Sequence, residues 1–315
     1  MQIKTAGFID VHSHFRDPGF TYKEDMRSGA AAAFAGGYSA VVCMANTNPV
    51  IDTPELVAAN LAGDYPVIIY QAAAATVGQL GATLTDFAAL KAAGAIAISD
   101  DGQPLLDAKV MYDALQLAKS VGLPIMTHSE DYRLRERGAV AEEYMLARDL
   151  TLAKYADAPL HIQHVTTANG VKMIREAKKD GVSVTCETCP HYFTFTEDLR
   201  GKLGSIAKVF PPLRTRKDVD AVIEGLADGT IDIIATDHAP HSREEKSKSW
   251  DDAPGGIIGL ETTFAASLTV LFHSGALTMP ELLDKFTVNP AKLLNIELAE
   301  DEFVIFDPDE EWTVT

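Results

Sequence analysis

The sequence predicts an α/β fold, a (β/α)8 TIM barrel, on three observations. Short apolar runs alternate with amphipathic or Ala-rich helical stretches along almost the whole chain. The runs are nearly continuously apolar, the pattern of parallel strands buried on both faces. There are eight of them. A doubly wound open sheet would share the first two features, but no Gly-rich phosphate turn of the dinucleotide-binding kind follows the first run.

The first run closes on His12-Ser13-His14, and a helical segment over 22–35 follows, ending at Gly36-Gly37. Later strands are expected over 39–44, 67–72, 95–99, 124–127, 160–163, 183–187 and 232–236. Helices are expected over 85–93, 108–121, 141–155, 169–180 and 217–228, where the apolar spacing turns helical. The Ala-rich stretch 29–35 reads as close helix packing rather than a functional box. An acidic tail, 297–311, surrounds Phe303-Val304-Ile305-Phe306, read as one short strand outside the barrel. The expected division is a barrel over 1–295 and a short C-terminal β extension over 296–315.

With 315 residues and 47% hydrophobic content the chain can bury a sizeable core as one barrel. A formal net charge of -18 argues against nucleic acid or an anionic membrane surface as the main partner, because both require a basic footprint. No run is long enough to span a bilayer, and the N-terminus has no basic segment leading into an apolar one, so a soluble, cytoplasmic protein is expected. Cys43, Cys186 and Cys189 form no disulfide framework and suit a reducing compartment. Cys186-x-x-Cys189 lacks a second pair, which disfavours a structural metal there.

In a barrel the chemistry gathers at the C-terminal strand ends. Those ends carry His12 and His14, Ser99-Asp100-Asp101-Gly102, Thr127-His128-Ser129-Glu130, Gln163-His164-Val165 and Thr236-Asp237-His238-Ala239-Pro240-His241. Any one could be a helix cap, but five of eight ends is more than capping requires. His12 and His14, two apart on a strand, point to one face. With His128, His164 and two aspartates they supply enough ligands for two ions sharing a carboxylate. His161, three residues before His164, faces the other way and reads as structural. Alternation alone leaves Asp100 and Asp101 open as the shared carboxylate.

Phe8-Ile9-Asp10-Val11-His12-Ser13-His14-Phe15-Arg16-Asp17-Pro18-Gly19, with Met44-Ala45-Asn46-Thr47, Ser99-Asp100-Asp101-Gly102, His161-Ile162-Gln163-His164-Val165, Glu187-Thr188-Cys189-Pro190-His191-Tyr192, Ala235-Thr236-Asp237-His238-Ala239-Pro240-His241 and Gly259-Leu260-Glu261-Thr262, resembles a dihydroorotase of the amidohydrolase superfamily, class I branch. The resemblance runs from about residue 7 to 295. It implies interconversion of dihydroorotate and N-carbamoyl-L-aspartate in pyrimidine synthesis, on two Zn2+ ions per chain. It makes His12, His14 and Asp237 ligands of one ion and His128 and His164 of the other, with Asp101 and a hydroxide bridging both. Relatives such as hydantoinases, dihydropyrimidinases and allantoinases use a carboxylated lysine at the fourth strand end, where this chain has Ser99-Asp100-Asp101. Asp237 is implied as general base and then general acid. Arg16, Asn46, His241, Gly255 and Gly256 match substrate-contacting positions, Arg16 being suited to a bidentate grip on a carboxylate. The charged, then glycine-rich loop 242–256 reads equally as a lid or as ordinary surface. Implied partners are the small-molecule substrate, a homodimer and aspartate carbamoyltransferase.

The chain also departs from that family. Phe210 precedes Pro211-Pro212-Leu213-Arg214 where an asparagine usually contacts substrate; a lost hydrogen bond of this kind is worth about 1–3 kcal/mol. Ala45 replaces a usual proline and Gly255 a bulkier residue. The β-sandwich that relatives build from their two ends is expected to be much reduced, leaving a barrel face that is polar or buried in an oligomer. Two other functions stay open at this point: a hydantoinase- or allantoinase-like cyclic amidohydrolase, and a non-catalytic homologue that partners aspartate carbamoyltransferase.

Overall fold

The computed structural model describes residues 2–299 and 301–314. A short strand, β1 (Ile3–Ala6), precedes eight parallel strands: β2 (Phe8–Ser13), β3 (Tyr38–Cys43), β4 (Ile68–Ala73), β5 (Ala95–Ile98), β6 (Ile125–Thr127), β7 (Leu160–Ile162), β8 (Val184–Thr188) and β9 (Ile233–Ile234). They pair in sequence order, the topology of a (β/α)8 barrel. Helices α1 (Met26–Ala35), α2 (Pro54–Leu61), α3 (Phe87–Ala92), α4 (Ala108–Val121), α5 (Val140–Ala156) and α6 (Ala168–Lys179) fill the successive crossovers. After β8 the chain makes three, α7 (Pro190–Thr194), α8 (Leu199–Leu203) and α9 (Arg216–Ala227). The first helix begins at Met26 rather than at 22 because Asp25 caps it: its carboxylate accepts from the Ser28 N–H at 2.8 Å, and the Ser28 hydroxyl accepts from the Asp25 N–H at 3.0 Å.

Alternation along the strands divides the core. Ile9, Val11, Ala40, Val42, Ala72 and Ala97 pack inside the barrel, whereas Phe8, Val41, Cys43 and Ile98 pack with Leu115, Leu146 and Ile174 of the surrounding helices. One irregularity matters for the site. Asp10 pairs with Val41 and Ser13 with Cys43, so β2 spends three residues where β3 spends two. This bulge puts Asp10 and Ser13 on the outer face with Val41 and Cys43, and turns His12 and His14 inward above Val11.

The barrel closes between β9 and β2, where β9 has only two residues and cannot supply a full ladder. Ser13 and His238 form an isolated parallel bridge, and the His14 N–H donates to the His238 carbonyl at 2.8 Å. The rest of the seam is held by the Asp10 carboxylate, which accepts from the Thr236 N–H at 2.9 Å, the Thr236 hydroxyl at 2.6 Å and the Ser13 hydroxyl. Burial pushes the Asp10 carboxyl up even though these bonds pull it down. The expected strand 232–236 is short for this reason, since Thr236 turns its N–H to Asp10.

Phe303–Phe306 does form a strand, β10, and its partner is β1, paired antiparallel with Ile3 opposite Phe306. Sequence reading missed β1 because four residues running into the first apolar run carry no separate signal. Val304 and Phe306 face the core, whereas Phe303 and Ile305 face out. Around this ribbon Phe34, Phe303, Ile305 and Trp312 are all more than half exposed, so the face beside the β1–β10 ribbon is apolar rather than polar. Among the described residues no helix is long and apolar enough to cross a membrane.

Replacing Asp10 with alanine removes the carboxylate that the buried Ser13 hydroxyl, Thr236 hydroxyl and Thr236 N–H share at the seam, at a cost of about 2–4 kcal/mol. Urea denaturation of Asp10→Ala measures it; a loss below about 1 kcal/mol would mean that the backbone alone closes the barrel.

Candidate metal centre and substrate pocket

The six residues that the sequence placed at strand ends meet at one point. The Asp101 carboxylate lies among four imidazoles: Oδ1 is 3.4 Å from His12 Nε2, 3.3 Å from His128 Nδ1 and 3.6 Å from His164 Nε2, and Oδ2 is 3.2 Å from His14 Nε2. Asp237 Oδ1 stands 3.0 Å from His14 Nε2 and 3.5 Å from His12 Nε2. All six residues are buried. His164 and Asp237 reach the cluster from left-handed backbone, with φ of 35° and 46°, a conformation that non-glycine residues adopt mainly where function or packing demands it. Asp100 points elsewhere. Its carboxylate accepts the Ala75 N–H at 2.7 Å, the Thr76 N–H at 3.1 Å and the Thr76 hydroxyl, and burial raises it to about 6.

Ligands about 2.1 Å from a tetrahedral ion lie about 3.4 Å from one another. The separations above match that spacing, and His12, Asp101 and His164, like His12, His14 and Asp237, offer donor atoms mutually close enough to hold an ion. The donor set, neutral imidazole and carboxylate, suits zinc or a similar transition ion. A third grouping, Cys189, His191 and Asp237, is chemically weaker. Burial and neighbouring carboxylates push the Cys189 thiol well up, and a protonated thiol is a poor ligand. Cys186 points away, its thiol donating to the Thr230 carbonyl at 3.3 Å.

Outer partners aim the ligands. Glu187, fully buried, accepts from His12 Nδ1 at 2.6 Å through Oε1 and from His161 Nε2 at 3.1 Å through Oε2. His12 therefore carries its proton outward and turns Nε2 to the centre. His161 does not face away as its spacing from His164 suggested: it pairs with Met126 on the barrel's inner face and supports Glu187 without reaching the cluster. The Asn46 amide oxygen takes the same role for His14, accepting from Nδ1 at 2.9 Å, so this residue is first an orienting one. Glu130 Oε2 stands 3.5 Å from His128 Nε2 and binds Arg135 Nη2 at 2.6 Å. Glu187 and Glu130 were not assigned roles from sequence; the available signal was a carboxylate expected to be wholly buried, next to or at a strand end rich in ligands.

The carboxylates and imidazoles of the cluster shift one another in opposite directions. Burial would raise the Asp101 carboxyl, but His12 and bonds from His12, His128 and His164 hold it well below the usual carboxylate range. Asp237 is lowered in the same way by His12, His14 and His164 against its burial. Burial opposes protonation of His12 and His128 too, yet Asp101, Glu187 and Asp237 push His12 well up, and Asp101 with Glu130 lifts His128 to about 9.

Beside the cluster lies a second, cationic group. The Arg16 Nε–H donates to the Pro240 carbonyl at 3.2 Å, and Arg16 Nη2 is 3.5 Å from His241 Nε2. Lys23 donates to His241 Nδ1 at 3.1 Å, so that nitrogen is the acceptor and the proton sits on Nε2, which donates to the Gly255 carbonyl at 2.9 Å. Burial, Arg16 and Lys23 lower His241 to about 3, so the ring is neutral. Gly256 has φ of 149°, and a Cβ there would stand 2.5 Å from the Ala239 carbonyl oxygen. The sequence-selected Arg16, Asn46, His241, Gly255 and Gly256 thus all border the cluster or its neighbour. His238, not selected, ties Glu24 to the Gly259 N–H and is structural.

A family model described as "Dihydro-orotase-like" matches residues 2–169. The chain is 45% identical to a dihydroorotase of Clostridioides difficile (strain 630), over 99% of this chain and 80% of that one. It is 46% identical to a dihydroorotase of Acetivibrio thermocellus, over 92% of this chain and 73% of that one. Among solved structures it is similar in fold to an L-hydantoinase (dihydropyrimidinase) from Arthrobacter aurescens, with a TM-score of 0.85 and 23% identity over 93% of this chain and 72% of that chain. A structure of D-hydantoinase also aligns at a TM-score of 0.85, with 21% identity over 99% of this chain and 78% of that chain.

Two measurements follow from the protonation and the outer contacts. Because Asp101 and Glu130 lift His128 to about 9, zinc binding is expected to displace protons below that pH. Calorimetric titration near pH 7, in buffers of different ionisation enthalpy, is expected to show proton release and a zinc affinity that rises toward pH 9; no release would mean that the imidazoles are not the ligands. Glu187→Gln, which weakens the hold on His12 Nδ1, is expected to lower zinc affinity by about 10–100-fold.

Proposed function

The chain belongs to the dihydroorotase family, and from that membership we propose that it catalyses the reversible hydrolysis of L-dihydroorotate to N-carbamoyl-L-aspartate in pyrimidine synthesis. It is a hydrolase acting on cyclic amides. The observation that carries the substrate reading is the pairing of two groups: a carboxylate surrounded by four imidazoles, and a buried guanidinium, Arg16, next to it. One suits hydrolysis of an amide ring, the other a free carboxylate on that ring. The shared carboxylate comes from Asp101 rather than a lysine, which supports dihydroorotase over the hydantoinase-like alternative. All six ligand positions are occupied by ligating residues, which supports an enzyme over a silent homologue.

The proposed cofactor is a pair of zinc ions; His12, His14 and Asp237 would hold one and His128 and His164 the other, with the Asp101 carboxylate available to both. When bound, such ions supply Lewis acidity, acidifying water and polarising a carbonyl. The chain's own residues do the rest. Asp237, held ionised, is placed to take a proton from the attacking water and to return it to the departing ring nitrogen. Arg16, anchored by its Nε–H on Pro240, keeps its outer nitrogens for a bidentate contact with the substrate carboxylate. His241 meets the substrate only by exchanging a bond it already has, to Gly255 or Lys23. The Asn46 amide nitrogen remains available while its oxygen holds His14.

The remaining proposals are coarser. The catalytic barrel is taken as residues 1–295 and the C-terminal β extension as 296–315, with the first of these also supplying β1 to the terminal ribbon. A homodimer would cover the apolar face around Phe34 and Trp312, and association with aspartate carbamoyltransferase is the hetero-partner reading. Three free, buried cysteines support a reducing cytoplasm.

The test is turnover of L-dihydroorotate by the zinc-loaded protein. Asp237→Ala is expected to lower kcat by at least about 10²-fold, with zinc content measured alongside. No turnover with zinc bound would overturn the substrate, and hydantoins would be tried next.

A further inference from the structure

Phe210 is the departure for which the dihydroorotase reading supplies no role, and its surroundings are specific. The Arg135 guanidinium carbon stands 3.7 Å from the centroid of its ring. Arg135 is in turn fixed by Glu130, with Nε 2.8 Å and Nη2 2.6 Å from Oε2, and Glu130 lies against His128. On another side the ring packs on Gly255. A Cβ built there would stand 2.5, 2.7 and 2.9 Å from three of its carbons, closer than real side chains approach. The backbone of Gly255 is not in the left-handed region, so its conformation would admit another residue. What excludes a side chain at 255 is the ring of Phe210.

The consequence reaches the cationic group. The two segments are joined by the Gly256 N–H, which donates to the Lys208 carbonyl at 2.9 Å. The Gly255 carbonyl accepts the His241 Nε2–H at 2.9 Å, and Arg16 Nη2 lies 3.5 Å from that nitrogen. Contacts therefore run from His128 through Glu130, Arg135, Phe210 and Gly255 to His241 and Arg16. Cation–π stacking on a partly desolvated ring fixes the guanidinium and the ring relative to each other.

We propose that Phe210 is a positioning residue for the carboxylate-binding side of the site: its ring, held between Arg135 and Gly255, sets where the Gly255 carbonyl holds His241 beside Arg16. The proposal rests on the reading of Arg16 and His241 as the substrate-carboxylate group. In place of the hydrogen bond an asparagine would give, Phe210 supplies volume. Positions 210 and 255 are then coupled in size, an aromatic ring at one requiring no side chain at the other.

Gly255→Ala, Phe210→Ala and the double variant, each as full chain loaded with zinc, test this. Gly255→Ala is expected to raise KM for L-dihydroorotate about tenfold with kcat within about twofold, the pattern of lost ground-state binding. Phe210→Ala is expected to raise KM less, and adding Gly255→Ala to it to cost no more than about a further twofold, because the obstructing ring is gone. Equal losses from Gly255→Ala with and without the ring would overturn the coupling. A second readout needs no turnover: the 15N resonances of the His241 ring, identified by their loss in His241→Asn, are expected to move in Gly255→Ala and to return toward their Phe210→Ala positions in the double variant. Unmoved resonances would overturn the positioning role. If Gly255→Ala fails to fold, movement of the His241 resonances in Phe210→Ala alone supports the proposal and their constancy overturns it. An inactive wild type would remove the substrate reading, and the His241 resonances would still decide whether Phe210 positions that ring.

Discussion

The structure depends on one electrostatic requirement: Asp101 and Asp237 are buried together at the mouth of the barrel and need positive charge beside them. An isolated buried carboxylate is costly, whereas one surrounded by charged or hydrogen-bonding partners is stable. Four imidazoles surround them, and each is brought by a strand end or the turn that follows it. The same attraction raises His12 and His128 and lowers Asp101. The same donors, once deprotonated, are those a divalent ion would take. Structural charge balance and metal chemistry are thus two states of one cluster.

That cluster is only as well placed as the backbone that carries it. The bulge in β2 is what lets Asp10 and His12, two residues apart, face opposite ways. Asp10 then staples the seam to Thr236 while His12 enters the site, and Asp237 follows Thr236 directly. Closure of the barrel and placement of His12, His14 and Asp237 come from the same stretch, residues 10–14, and the same turn after β9. Outside this ring, Glu187 and Asn46 fix which nitrogen of each imidazole faces inward, a choice the imidazole itself leaves open.

The cationic group beside the cluster is built differently. Arg16, Lys23 and His241 lie in loops, where position is set by contacts rather than by a ladder. His241 is kept neutral by burial and by the two cations and is held at both nitrogens, so it serves as a spacer between charged groups as much as a donor. The apolar ribbon formed by β1 and β10 lies apart from this chemistry and covers part of the barrel with four-residue strands.

Eight strands, six of the helices between them and the six strand-end residues that meet in one cluster were legible in the sequence, because apolar period and strand-end position are local properties, whereas α2, α7 and α8 were not read. Helix 108–121 was readable to the residue, with Asp107 capping it and Gly122 ending it. What only the tertiary structure decided are relations between residues far apart in sequence. Adjacent Asp100 and Asp101 are chemically alike; which one faces the imidazoles was settled by the N–H groups of 75 and 76, which draw Asp100 aside. Glu187 reads as one more polar residue until β8 is set near His12. Phe210 reads in sequence as a lost hydrogen bond, and only the fold shows it against Gly255 and Arg135. β1 was hidden because a four-residue strand acquires its identity from its partner some 300 residues later. Periodicity encodes which face a residue takes within its own element; which partner waits on that face is encoded nowhere locally, since it depends on how the elements close around one another.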